Sequence, residues 1–168
     1  MKFQDKTIII TGGGKGIGRA ITERFVSEGA QVVICGRREP ETLPGNTHFL
    51  PLDIREAEAA QTLIDFAVEK TGRIDCLINN AGGGPPVASA EASHNLTNKV
   101  IALNLTAPLF LCQAAYPHLK KTNGSIINIS SVSATRSSPG SVAYGAAKAG
   151  LLSVTTSLAM EWAPDVRV

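Results

Sequence analysis

The sequence predicts an α/β protein built as a doubly wound parallel sheet, and three observations carry that prediction. Short runs rich in Ile and Val alternate with longer segments of helical period. The connections between them are long enough to cross over a sheet. Each short run is followed at once by an unusual cluster of glycine, amide, hydroxyl or charged residues, which is where such a sheet binds its ligand. With 168 residues, 43% of them hydrophobic and 18% charged, the chain reads as one domain, 1–168, with room for a real core.

The first strand is read at Thr7 to Ile10, followed by a glycine-rich turn and a helix from Ile17 to Glu28. Gly29 stands where that helix stops. A second strand, Gln31 to Cys35, ends at Gly36-Arg37-Arg38, and a third, His48 to Leu52, ends at Asp53. The helix from Glu56 to Lys70 closes at Gly72, and the fourth strand, Cys76 to Ile78, runs into Asn79-Asn80-Ala81-Gly82. A helix from about Leu96 to Leu119 precedes the fifth strand, Ser125 to Ile129, which ends at Ser130-Ser131, and the last helix spans Val142 to Trp162. The β-branched content of the strands suits burial on both faces. The closing residues "APDVRV" read as a helix exit and the start of another strand. The sheet is therefore expected to be short of its last strands and of its lid, with an apolar edge uncovered.

Several function classes drop out on composition. A formal charge of +2 is too small and too evenly spread to point to nucleic acid or to an anionic membrane surface. No segment reads as a signal peptide or as a membrane span. Cys35, Cys76 and Cys112 are odd in number and lack metal-ligand spacing, so they read as buried thiols of a reducing, cytoplasmic compartment. His48, His94 and His118 are scattered, and no metal site is expected. A small molecule is the expected partner.

The stretch "TIIITGGGKGIGRAI" carries five glycines between a strand and a helix, yet it fits neither G-x-G-x-x-G nor the phosphate loop G-x-x-x-x-G-K-[ST]. Its spacing is Thr11-Gly12-x-x-x-Gly16-x-Gly18. Gly12 permits a sharp exit from the strand, Gly16 lets the backbone approach a pyrophosphate, and Gly18 lets the helix pack closely, while helix N-terminal amides face the charge. Gly13 and Gly14 are read as free to vary. At the second strand's end a free ribose diol calls for a carboxylate, whereas a 2′-phosphate calls for cations. Gly36 followed by Arg37 and Arg38, with Lys15 in the turn, favours the phosphate. Asp53, with Glu56 three residues later, has the spacing of a capping box for the next helix. In "YGAAK", Tyr144 and Lys148 share a helix face, so a phenolic oxygen can lie near an ammonium. A phenol with pKa near 10 needs roughly 4 kcal/mol to act as a base near pH 7. One cation at about 4 Å and an effective dielectric near 20 supplies roughly that amount.

Taken together, from Thr7 to Val168, these motifs resemble the short-chain dehydrogenase/reductase family, nicotinamide-dependent enzymes on a Rossmann-type fold. The resemblance implies a cofactor site of Gly12, Lys15, Gly16, Ile17, Gly18, Arg37, Asp53 and Ile54, with Asn80, Ala81 and Gly82 near the ribose; it gives Asp53 a second reading beside the capping box, as an adenine ligand. Tyr144 and Lys148 also touch the cofactor in that reading, and NADP is expected over NAD. Ser131, thirteen residues before Tyr144, matches the family pattern. The implied chemistry is hydride transfer between NADP(H) and a secondary alcohol or ketone. Tyr144 moves the proton, Ser131 orients the oxygen, and Lys148 tunes the tyrosine and binds the ribose. Asn104 holds a helix bend and a proton-relay water in the same reading. The resemblance also implies pairing of the last two long helices across a homodimer or homotetramer. The alternatives are a catalytically silent nucleotide-binding sensor or scaffold, and an inactive fragment of the enzyme.

Overall fold

The computed structural model describes residues 1–168. Its sheet comprises β1 (Thr7–Thr11), β2 (Gln31–Gly36), β3 (Thr47–Pro51), β4 (Cys76–Asn79) and β5 (Ser125–Asn128), all parallel, in the order β3-β2-β1-β4-β5. The chain winds outward from β1 to β3 and then returns to the other side of β1 with β4. That reversal opens a crevice at the carboxyl ends of β1 and β4.

Alternation along the strands loads both faces. Ile9, Val33, Leu77 and Ile126 point into the larger core, beneath helices α2 (Ala59–Thr71), α4 (Ala107–Thr122) and α5 (Val142–Trp162). Ile8, Ile10, Val32 and Ile34 point the other way, against Ile21, Phe25 and Val26 of α1 (Gly16–Ser27). Ile127, on the same side at the sheet's edge strand, is 44% exposed. The final residues run beside β5 as expected, with Arg167 bridging to Ser125 and its carbonyl accepting from the Ile126 amide at 2.8 Å.

Three expectations change. The helix at Glu56 starts later, at Ala59, and no capping box forms: the Asp53 carboxylate accepts from the Arg55 backbone amide and is gripped by the Arg55 side chain. The single helix expected at Leu96–Leu119 is α3 (His94–Ile101) joined to α4 through a π-helical turn, Ala102–Thr106. Joined, His94–Thr122 is long and apolar enough to cross a membrane by length and composition, contrary to the sequence reading. Here it lies on the sheet, with Leu111, Cys112, Ala115 and Leu119 fully buried against it.

Candidate active site

The glycine turn is built by space as much as by conformation. A Cβ on Gly18 would lie 2.3 Å from the Gly12 carbonyl oxygen and 2.5 Å from the Asn80 amide nitrogen, so only glycine lets α1 start this close to the sheet. Gly13 is not free to vary: a Cβ there would sit 2.4 Å from Ile34 Cγ2. At Gly16 the φ is +53° and a Cβ would meet nothing within 4 Å, so the backbone faces open space. Lys15 occupies the N-cap position without a side-chain capping bond, and the first turn of α1 carries no acid. Its unsatisfied amides therefore point toward the crevice, which fits a pyrophosphate.

Thr11 and Asn80 fasten the two strands that border the crevice. The Thr11 hydroxyl accepts from the Asn80 and Ala81 amides, each at 3.0 Å, and the Asn80 side-chain amide donates to the Thr11 carbonyl at 2.9 Å. Thr11 was legible only as part of the glycine motif; its position at the end of a buried strand was the available signal.

Every expected cofactor-binding residue from Gly12 to Gly82 lines one cleft of about 1050 Å³ at the carboxyl end of the sheet. Arg37, Arg38 and Lys15 are exposed on its rim and take part in no ion pair, and the carboxylates Glu39 and Asp53 line the same cleft. Asp53 lies on the wall, bound by Arg55 at 2.9 Å and 2.5 Å. The hydrogen bond from Arg55 is the main reason its carboxyl stays below the usual range. Arg55 was missed from the sequence, although an opposite charge two residues on was the clue.

Lys148 is 3% exposed. Its ammonium donates to the Ile129 carbonyl at 2.7 Å and lies 5.9 Å from the centre of the Tyr144 ring. No carboxylate pairs with it, and burial pushes its pKa down. A Cβ on Gly82 would be 3.3 Å from the Lys148 Nζ and 2.7 Å from the Asn104 Oδ1, so the three residues meet at one point under the cleft. Asn104 is fully buried inside the π turn. Its Oδ1 accepts from the Gly83 amide at 2.9 Å, and its Nδ2 donates to the Gly83 and Val100 carbonyls at 2.9 and 2.8 Å. That clamp explains the π turn: a side chain tied to the loop after β4 also takes up the carbonyl four residues back.

Ser131 precedes a short 3-10 turn, Val132–Ala134, and its hydroxyl accepts from the Ser133 amide at 3.2 Å. This turn rests on α5 beside Tyr144, where a Cβ on Gly145 would come within 3.0 Å of the Ser133 carbonyl oxygen. Tyr144 borders an apolar pocket of about 260 Å³ that shares Gly84, Pro85, Leu96 and Val100 with the large cleft. Ser131 and Lys148 line neither cavity. A polar chain unseen in the sequence sets α5 on the sheet: Asn79 Nδ2 donates to Asn128 Oδ1 at 2.8 Å, and Asn128 Nδ2 donates to the Thr155 hydroxyl at 2.9 Å.

The chain is similar to known proteins over nearly its whole length. The bovine (Bos taurus) L-fucose dehydrogenase is 39% identical over 167 residues, covering 95% of this chain and 62% of that protein. The meso-2,3-butanediol dehydrogenase of Serratia marcescens is 33% identical over 172 residues, covering 98% and 68%. The ligand-free structure of Thermoplasma acidophilum aldohexose dehydrogenase superposes with a TM-score of 0.92 at 32% identity, covering 98% of this chain and 64% of that one. The chain thus spans about 60% of the length of the L-fucose dehydrogenases it matches. The family profile described as short chain dehydrogenase matches residues 6–168, and the chain belongs to the short-chain dehydrogenase family.

Proposed function

We propose that the protein is an NADP-preferring oxidoreductase that interconverts a secondary alcohol and its ketone, with Tyr144 as the proton donor and acceptor. The observation that carries this reading is Lys148: a buried ammonium under the Tyr144 ring whose one acceptor is a backbone carbonyl. An unpaired buried cation is costly to keep. It is well placed to stabilise negative charge as it develops on the Tyr144 oxygen.

When bound, the nicotinamide cofactor supplies or takes up the hydride. The amides at the N-terminus of α1 would hold its pyrophosphate, Lys15, Arg37 and Arg38 its 2′-phosphate, and Lys148 its ribose. Gly36 at the end of β2 brings no carboxylate against that phosphate, which favours NADP over NAD. Tyr144 gives its proton to the substrate oxygen on reduction and removes it on oxidation. Ser131 orients that oxygen, and Asn104 keeps the loop at Gly82-Gly83 beside Lys148. The relatives named for L-fucose and meso-2,3-butanediol suggest a substrate with neighbouring hydroxyls. Three buried free thiols support a reducing compartment. The exposed Phe110, Leu152 and Met160 on α4 and α5 support pairing of copies through these helices.

A direct test incubates the purified protein with NADP⁺ or NAD⁺ and L-fucose, meso-2,3-butanediol or a simple secondary alcohol, following the absorbance of reduced nicotinamide. Turnover with NADP⁺ above that with NAD⁺ supports the reading. Equal use of the two cofactors defeats the NADP preference, and no turnover together with tight cofactor binding favours a silent nucleotide-binding protein.

A further inference from the structure

The connection between β2 and β3 forms the outer wall of the large cleft: Arg37, Arg38, Glu39 and Pro40 all line it. Little within this connection holds it in place. No backbone hydrogen bond begins or ends anywhere from Arg37 to Gly45, so the segment lacks the ladder or helix bonds that fix its neighbours. The tie to the rest of the fold comes from α1. The Arg19 guanidinium reaches across, with Nη1 donating to the Thr42 carbonyl and Nη2 to the Thr42 hydroxyl at 3.4 Å. Its third edge is aligned by Glu23, which accepts from Nε at 2.6 Å. Pro40 completes the closure by lying over the glycine turn, where a Cβ on Gly14 would meet its Cγ at 3.4 Å.

Fastening Thr42 divides a long unsupported span into two short ones, and Arg37 and Arg38 sit in the first. Ordering such a segment before a ligand arrives removes an entropic cost that binding would otherwise carry. A planar guanidinium suits this task, since it presents several donors in one rigid plane.

We propose that Arg19 is a specificity-determining positioning residue: by fastening Thr42 to α1 it holds Arg37 and Arg38 at the cleft wall, where they meet the ribose phosphate that distinguishes NADPH from NADH. The proposal rests on the NADP reading above, and its test separates the two. In the purified protein, Arg19→Met removes charge and fork, while Arg19→Lys keeps the charge and loses the fork. Two readouts follow: the rate of tryptic cleavage after Arg37 and Arg38 without cofactor, and the dissociation constants of NADPH and NADH from fluorescence titration. Both variants should be cleaved faster than the wild type. Both should bind NADPH about tenfold more weakly, the scale of one lost charge-assisted hydrogen bond, with NADH affinity held. Wild-type selectivity in Arg19→Lys but not Arg19→Met would mean that charge, not the tie, acts, and would overturn the proposal. An equal loss for both cofactors would overturn it too, as a general loosening of the fold. If the wild type binds both cofactors alike, the NADP reading fails. The tie is then judged by proteolysis alone: faster cleavage of Arg19→Lys supports it and unchanged cleavage overturns it.

Discussion

Replacing Lys148 with Met should separate stability from activity. The ammonium lies 5.9 Å from the Tyr144 ring centre. A unit of negative charge centred on the ring would be stabilised at that distance by about 3 kcal/mol at an effective dielectric near 20. Removing it should therefore lower turnover about 100-fold. Stability should move the other way or not at all. Lys148 is 3% exposed, without a carboxylate partner, and exchanging an unpaired buried charge for an apolar side chain of similar length is expected to be neutral or stabilising by about 1 kcal/mol or more. The pH dependence gives a further check. Burial lowers the Lys148 pKa below its ordinary 10.5, so between the folded value and 10.5 the unfolded chain binds the proton more tightly. Wild-type stability gains a rising contribution with pH across that window. Lys148→Met should lose that rise. The assays are steady-state turnover and urea unfolding from neutral to alkaline pH. A variant that keeps turnover within about threefold, or loses about 2 kcal/mol or more of stability, would refute the reasoning.

Two other substitutions test the frame of the site. Gly18→Ala places a methyl group 2.3 Å from the Gly12 carbonyl oxygen, a backbone atom that cannot yield cheaply. It should cost roughly 3 kcal/mol in urea unfolding and abolish cofactor binding in a fluorescence titration. Asp75, buried at the opposite end of the sheet, feels desolvation that would raise its pKa. Arg73, the Thr7 amide and Lys6 outweigh it and hold the carboxyl low. Its stabilising effect is thus complete at neutral pH and is lost as pH falls through the lowered folded pKa. Asp75→Asn should unfold about 2 kcal/mol more easily at pH 7, with the difference from wild type closing in acid.

The strand ends were legible because each combined a β-branched run with residues that a strand does not favour, such as Gly12, Asp53, Asn80 and Ser131. The cofactor-site candidates from Gly12 to Gly82 line one crevice for that reason. What could not be read depends on distance across the fold. The pattern that marks a helix does not register one inserted residue, so periodicity did not show the π turn at Asn104, where only the family resemblance implied a bend. The freedom assigned to Gly13 ignored Ile34, a neighbour on another strand. The pair Asp53 and Glu56 had capping-box spacing, but Arg55 offered the carboxylate both its amide and a guanidinium, a charged partner at each end of the bond. Asn128 and Thr155 carry no local signal for their pairing, which joins β5 to α5 across 27 residues.

The most direct test of the central claim is Tyr144→Phe, with turnover and NADPH affinity measured on the same preparation. The variant keeps the ring over Lys148 and removes one oxygen. The account predicts a fall in turnover of about 1000-fold with the NADPH dissociation constant within about twofold of wild type, since no lost bond to the phosphates or adenine is involved. Turnover that survives at about a tenth of the wild-type rate or more would contradict the assignment of proton transfer to Tyr144.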